Sequence, residues 1–244
     1  MKILLTTDWF TPAVNGVVTS VLNLRRGLEG RGHEVRVLTL SRSASSYVLD
    51  GVYYLRSMEV GAVYPKARLG VPLQKKLVKE LLAWGPDIVH SNCEFSTFPA
   101  ACHIAEKANV PLLHTYHTVY ENDTHSFSPS QRWGKKVVRQ FSRWVACRTD
   151  GIVAPSEKTA ALLRGYDVRC PLYVIPTGIV KPQAASRAET QILRENLGIP
   201  DDQTVLLYLG RLAKEKNCAE LLHAMARFRE APVTLLLVGD GPDR

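Results

Sequence analysis

The chain has 244 residues, 45% of them hydrophobic and 22% charged, with a formal net charge of +8. That size and composition fit a globular protein of one or two domains, and the positive excess favours a polyanionic partner, such as an anionic membrane or a phosphorylated ligand, over a purely solubilising role. The five cysteines, Cys93, Cys102, Cys147, Cys170 and Cys218, are odd in number, widely spaced and without a C-x-x-C pair, which argues against a zinc knuckle or a disulfide framework and fits reduced thiols in a cytosol.

The first apolar run, Ile3-Leu4-Leu5, turns polar at Thr6-Thr7-Asp8 and is too short for a signal peptide. No window approaches the ~20 apolar residues that cross a bilayer, so any membrane contact is expected to be peripheral. Strands are predicted at 2–7, 34–40, 52–56, 86–91, 110–115, 150–154 and 172–176, several of them nearly continuous in apolar residues. Helical patterns at 16–29, 72–84, 95–108, 130–148 and 156–164 alternate with them. This alternation predicts an α/β fold with a Rossmann-like, doubly wound parallel sheet. Residues 1–177 form the expected N-terminal domain, and 178–190, with Pro182 and small polar residues, the expected linker. A second unit then starts, with strands at 204–210 and 233–238 around a helix at 217–229. Residues 191–244 cannot cover both faces of a sheet, so they are expected to be the incomplete start of a second Rossmann-like domain.

Three turns carry candidate chemistry. After strand 1, Asn15-Gly16-Val17 opens a helix, whose positive N-terminal end and free amides suit a phosphate. Gly16 allows close backbone approach, although an ordinary loop-to-helix junction reads the same way, and G-x-G-x-x-G is absent. The basic turn Gly210-Arg211-Leu212-Ala213-Lys214-Glu215-Lys216 follows an apolar strand. Arg211 and Lys216 suit a diphosphate there, against the alternative of a solvated basic loop. His114, Tyr116, His117, Tyr120, Glu121 and His125 cluster at the end of the strand 110–115, where open α/β sheets bind ligands, and Glu94 ends the neighbouring strand. The histidine spacing does not match a helical zinc motif.

The helix at 130–148 places Arg132, Lys135, Lys136, Arg139 and Arg143 within an arc of about 100°. Trp133, Val137, Phe141, Trp144 and Val145 form the opposite stripe. The expectation is an apolar stripe in the core and a basic face on anionic lipid, extended by Lys75, Lys76 and Lys79. Nucleic acid is not expected, since no nucleic-acid-binding motif accompanies the charge.

Several segments together resemble family 4 retaining glycosyltransferases of the GT-B fold. They are Asn15-Gly16-Val17, the run at 31–35, Asp87-Ile88-Val89-His90 and Val153-Ala154-Pro155-Ser156. Pro176-Thr177-Gly178, Gly210-Arg211-Leu212 and Gly239-Asp240-Gly241-Pro242 continue the series in order. The run from His114 to Glu121, followed by His125, is similar to the diacylglycerol glucosyltransferase branch.

The resemblance implies an acceptor-binding N-terminal domain and a nucleotide-sugar-binding C-terminal domain facing each other across a cleft. It implies transfer of a hexose, glucose from UDP-glucose, to a lipid such as diacylglycerol, with retention and with no metal or other cofactor. His117 then sits at the donor sugar, Gly16 meets the donor phosphate, and Arg211 and Lys216 clamp the leaving diphosphate. Asn15, Glu94, Tyr116, Tyr120, Glu121 and His125 belong to the acceptor side or the cleft. The family's paired-glutamate segment is expected beyond residue 244, and cytoplasmic location on the inner face of a membrane is the implied setting. A phosphatidylinositol mannosyltransferase, a non-catalytic membrane-associated module, and an epimerase or phosphorylase of the same fold are the competing readings, and fold alone does not separate them.

Overall fold

The computed structural model describes residues 1–59, 68–70, 75–118 and 130–244, and Tyr120, Glu121 and His125 lie outside these. The chain divides into two compact units, Met1–Val180 and Lys181–Arg244. The fold is α/β throughout, with parallel pairing at every strand junction of the main sheet except one.

In the first unit the main sheet takes its strands from β1 (Lys2–Thr6), β2 (Glu34–Leu40), β3 (Tyr47–Leu49), β4 (Val52–Leu55), β7 (Ile88–Ser91), β8 (Leu112–Thr115), β9 (Gly151–Ala154) and β10 (Leu172–Val174). Their order is β10-β9-β8-β7-β1-β2-β4-β3, and only the edge strand β3 runs antiparallel. Strands β5 (Ser57–Glu59) and β6 (Arg68–Gly70) pair antiparallel in a separate two-stranded sheet, with Arg68 Nε donating to Ser57 Oγ at 2.7 Å. The central strands are apolar on both faces because helices cover both. On one side α1 (Gly16–Glu29) packs Val21 against Ile3, Leu5, Val35 and Val37. On the other, α2 (Lys75–Trp84) and α3 (Phe98–Ala108) pack Leu77, Leu81, Phe98 and Ile104 against Leu4, Leu38, Val89 and Leu112. Burial of these side chains stabilises by about 25 cal/mol per Å² of apolar surface removed from water.

The chain leaves β1 towards β2 on one side, then crosses back so that β7 lies on the other side of β1. That reversal opens a crevice beyond the carboxyl ends of β1 and β7, the usual binding place in such sheets.

Helix α4 (Gln131–Ala146) departs from the expectation. Its buried face is Gly134, Val138, Ser142, Val145 and Ala146; Val138 and Ala146 pack with Tyr116, Ile152 and Leu163, and Val145 joins the cluster of Phe98, Ile104 and Leu112. Leu163 comes from α5 (Glu157–Gly165), whose N-cap Ser156 accepts from the Thr159 amide. Small residues on that seam let α4 approach the sheet closely. The apolar stripe is therefore only partly core: Val145 is fully buried and Phe141 packs against the core, but Trp133 is 69% exposed and Val137 and Trp144 are also exposed. No described helix is long and apolar enough to cross a membrane.

The second unit holds α6 (Arg187–Asn196), β11 (Thr204–Leu209), a 3-10 turn at Lys214–Lys216, α7 (Cys218–Met225) and β12 (Val233–Val238). The stretch 178–190 is not all linker, because α6 starts at Arg187 with a full capping box between Ser186 and Glu189. Strands β11 and β12 pair in parallel from Thr204–Val233 to Leu209–Val238. The ladder runs on past the strands: Gly210 N donates to Val238 O at 3.0 Å and Leu212 N to Asp240 O at 2.9 Å. A Cβ at Gly239 would overlap the Gly210 carbonyl oxygen, and one at Gly241 the Leu212 carbonyl oxygen, so this crossing requires glycine at both positions.

Candidate active site at the strand ends

Asp8, Asn92, Glu94, His114 and His117 gather at the carboxyl ends of β1, β7 and β8 in the first unit. His114 lies on β8 in register with Ser91 on β7, and its side chain is fully buried. Its Nε2 stands 3.3 Å from Glu94 Oε1, and the edge of the Phe98 ring packs against it at 5.7 Å between centroids. His114 Nδ1 is buried and has no hydrogen-bond partner among the described residues. Three residues on, His117 Nε2 meets Asn92 Oδ1 at 3.1 Å. Burial pushes the His117 imidazole down to a pKa of about 4, with the neighbouring His114 acting in the same direction and Glu94 opposing.

Further in on β7, His90 Nε2 contacts Thr115 Oγ1 at 2.7 Å. Its pKa is also pushed down to about 4, first by burial and then by the fields of His114 and His117. Cys93, packed beside Asp8 and Glu94, is held as a thiol: burial raises its pKa strongly and the two carboxylates add to that. Asp8 Oδ1 accepts from the Thr97 amide and hydroxyl, each at 2.7 Å, and Oδ2 from the Ser96 amide at 2.9 Å. Burial nonetheless raises the Asp8 pKa above the ordinary carboxylate value, against the lowering effect of those donors.

The other candidates are placed as follows. Tyr116 is in the core, not in the crevice: it is 1% exposed and its hydroxyl pairs with Ser142 Oγ at 3.0 Å beneath α4. Asn15 caps α1, its Oδ1 accepting from Val18 N at 2.9 Å. Gly16 is the first residue of that helix, and the space where its Cβ would stand is open. Arg211 and Lys216 are exposed in the second unit, Lys216 on the 3-10 turn that precedes α7 and Arg211 with its carbonyl accepting from Tyr208 Oη at 2.8 Å.

On α4, Arg132, Lys135, Lys136 and Arg139 are exposed, as expected. Arg143 does not belong with them. It is only partly exposed, its Nε donates to Tyr166 O at 2.8 Å, and its guanidinium pairs with the Asp167 carboxylate. Sequence reasoning did not single out Asp8, Asn92 or His90, although each sits at or beside the end of a strand that it identified.

The sequence matches the family described as Glycosyltransferase Family 4 over residues 14–180, and that described as Glycosyl transferases group 1 over residues 189–244. It is similar to the alpha-monoglucosyldiacylglycerol synthase of Streptococcus pneumoniae, 32% identical over 250 residues covering 99% of this chain and 56% of that protein. The enzyme of the same name from Acholeplasma laidlawii is 29% identical over 258 residues, covering 100% of this chain and 64% of its own length. This chain thus spans somewhat more than half the length of both. Among solved structures, Anabaena HepE in complex with UDP and glucose matches at a TM-score of 0.66 with 19% identity, covering 99% of this chain and 61% of that one, a likeness of fold. The α/β architecture is that of the GT-B glycosyltransferases, and the chain belongs to glycosyltransferase family 4.

Proposed function

We propose that this chain is part of a retaining glycosyltransferase that moves glucose from UDP-glucose to diacylglycerol at an anionic membrane surface. The observation that carries the reading is His117 Nε2 held 3.1 Å from the Oδ1 of buried Asn92, at the strand ends of a family 4 sheet. The names of the two relatives support glucose and a diacylglycerol acceptor. In this reading residues 1–177 bind the acceptor, and residues 191–244 contribute to binding the nucleotide-sugar.

A group with a pKa near 4 is a poor general base at neutral pH. His117 therefore serves as a neutral hydrogen-bonding partner for hydroxyls of the donor sugar. Gly16 and the first amides of α1, at the positive end of that helix, meet the donor phosphate. Arg211 and Lys216 stabilise the negative charge that develops on the departing diphosphate, a contribution that requires no metal. That phosphate, leaving from the face the acceptor attacks, helps to remove the acceptor hydroxyl proton, which is how the configuration is retained.

The basic face of α4, Arg132, Lys135, Lys136 and Arg139, lies next to exposed Trp133 and Val137. Cationic side chains beside an exposed tryptophan suit an anionic interface, each charge contributing about 1 kcal/mol near the surface. Exposed Lys75, Lys76 and Lys79 on α2 add to the positive field. The test is incubation of this chain, and of a version extended through a second unit of the relatives' length, with UDP-glucose and diacylglycerol in anionic vesicles. Glucosyl-diacylglycerol formed by the extended version supports the reading. Absence of product from both, with vesicle binding retained, contradicts the donor or acceptor named here.

A further inference from the structure

We propose that Asn92 is a positioning residue: it decides which ring nitrogen of His117 carries the hydrogen, and so leaves Nδ1 as a bare acceptor for a substrate hydroxyl. One side-chain contact of Asn92 has a fixed polarity. Asn92 Nδ2 lies 3.2 Å from the backbone carbonyl of His90. A carbonyl oxygen only accepts, so the amide NH2 must be the group on that side. The other end of the amide is then Oδ1, and it faces His117 Nε2 at 3.1 Å. An amide oxygen also only accepts, so His117 Nε2 must donate.

Asn92 has little freedom to escape this arrangement. It is 2% exposed, and its backbone N–H donates to Thr6 O at 2.8 Å, which ties the segment after β7 to the end of β1. Burial keeps the His117 ring neutral, so it carries a single hydrogen rather than two. With that hydrogen on Nε2, Nδ1 offers a lone pair. A lone pair selects an O–H or N–H donor and rejects a carbonyl or a phosphate oxygen. The neutral hydroxyl of a polyol fits; an oxyanion does not. That this hydroxyl belongs to the donor sugar rests on the function proposed above, whereas the tautomer does not.

Nitrogen–hydrogen correlation NMR of the chain labelled at its seven histidines reads the tautomer of each ring directly. Loss of one set of signals in His117→Ala assigns the ring. In the unaltered protein at neutral pH, His117 is expected to show a protonated Nε2 and a bare Nδ1. In Asn92→Leu the Nε2–H signature is lost in favour of the other tautomer or a mixture, while the His90 and His114 signals stay in place. In Asn92→Asp, which keeps an acceptor and adds a charge, Nε2–H persists and the His117 pKa rises. A hydrogen on Nδ1 in the unaltered protein overturns the proposal. So does an unchanged His117 signature in folded Asn92→Leu, or a lost one in folded Asn92→Asp. The spectra require no substrate, so failure of sugar transfer alongside the expected tautomer would reject the function and leave this inference standing.

Discussion

Asp8, just past the end of the first strand, holds the segment that leads into α3: one carboxylate oxygen accepts from both the amide and the hydroxyl of Thr97, 89 residues away. The other oxygen accepts from the Ser96 amide. Thr97, which occupies the N-cap position of α3, makes no side-chain cap of its own. A residue distant in sequence thus fixes the entry to the helix through the amides of Ser96 and Thr97.

Replacing that carboxylate should loosen the whole strand-end cluster. Asp8→Ala is expected to lower stability by about 1–3 kcal/mol, since it leaves the part-buried amides of Ser96 and Thr97 without their acceptor. Urea unfolding measures it, and an unchanged midpoint with an unchanged slope would show that Asp8 does not hold α3.

The two low-pKa histidines make stability depend on pH in a defined direction. His90 and His117 titrate near pH 4 in the folded protein and near 6.5 when unfolded. The unfolded chain therefore binds more protons between those values, and stability falls as pH drops from about 6.5 to about 4. The loss is on the order of a few kcal/mol for the pair. Thermal unfolding across pH 7.5 to 4 should show a declining Tm, and a smaller decline in His90→Gln. A flat profile over that window would contradict the burial of both rings.

In the second unit, Gly239→Ala and Gly241→Ala each force a Cβ into a backbone carbonyl, that of Gly210 and of Leu212 respectively. Backbone cannot swing aside as a flexible side chain does, so each substitution should cost about 2 kcal/mol or more. Limited proteolysis should cut the second unit faster in both variants while sparing the first. Equal cleavage rates would mean that the crossing accommodates a Cβ at both positions.

For α4, the charge-reversed triple variant Lys135→Glu, Lys136→Glu, Arg139→Glu should abolish most binding to anionic vesicles, and Trp133→Ala should weaken it several-fold. Vesicle sedimentation at low and physiological salt checks both. Binding that survives the triple variant would place the lipid contact elsewhere. Arg143→Ala should act differently, through stability, since it breaks the contacts with Tyr166 and Asp167.

Much of the sheet is legible in the sequence because its central strands are short, apolar on both faces and separated by amphipathic helices. The three-residue strands β3, β5 and β6 are not, since so few residues show no period and their pairing comes from tertiary contact. The seam of α4 is hidden for another reason. Large apolar residues draw attention to one stripe, while close packing on the sheet uses the small residues Gly134, Ser142 and Ala146. At the site, His114, His117 and Glu94 stand out by type and position. Asn92 and Asp8 do not, because their roles arise from partners 25 and 89 residues away. Tyr116 and Arg143 mislead for the converse reason: each has the right chemistry on the wrong side of its element.

The proposed function depends most directly on His117. Glucosyl transfer from UDP-glucose to diacylglycerol in anionic vesicles should be measured for the extended protein with His117 intact and with His117→Ala. The proposed function predicts product from the first and a loss of at least 100-fold, about 2.7 kcal/mol in the barrier, from the second. Full transfer by His117→Ala would contradict it.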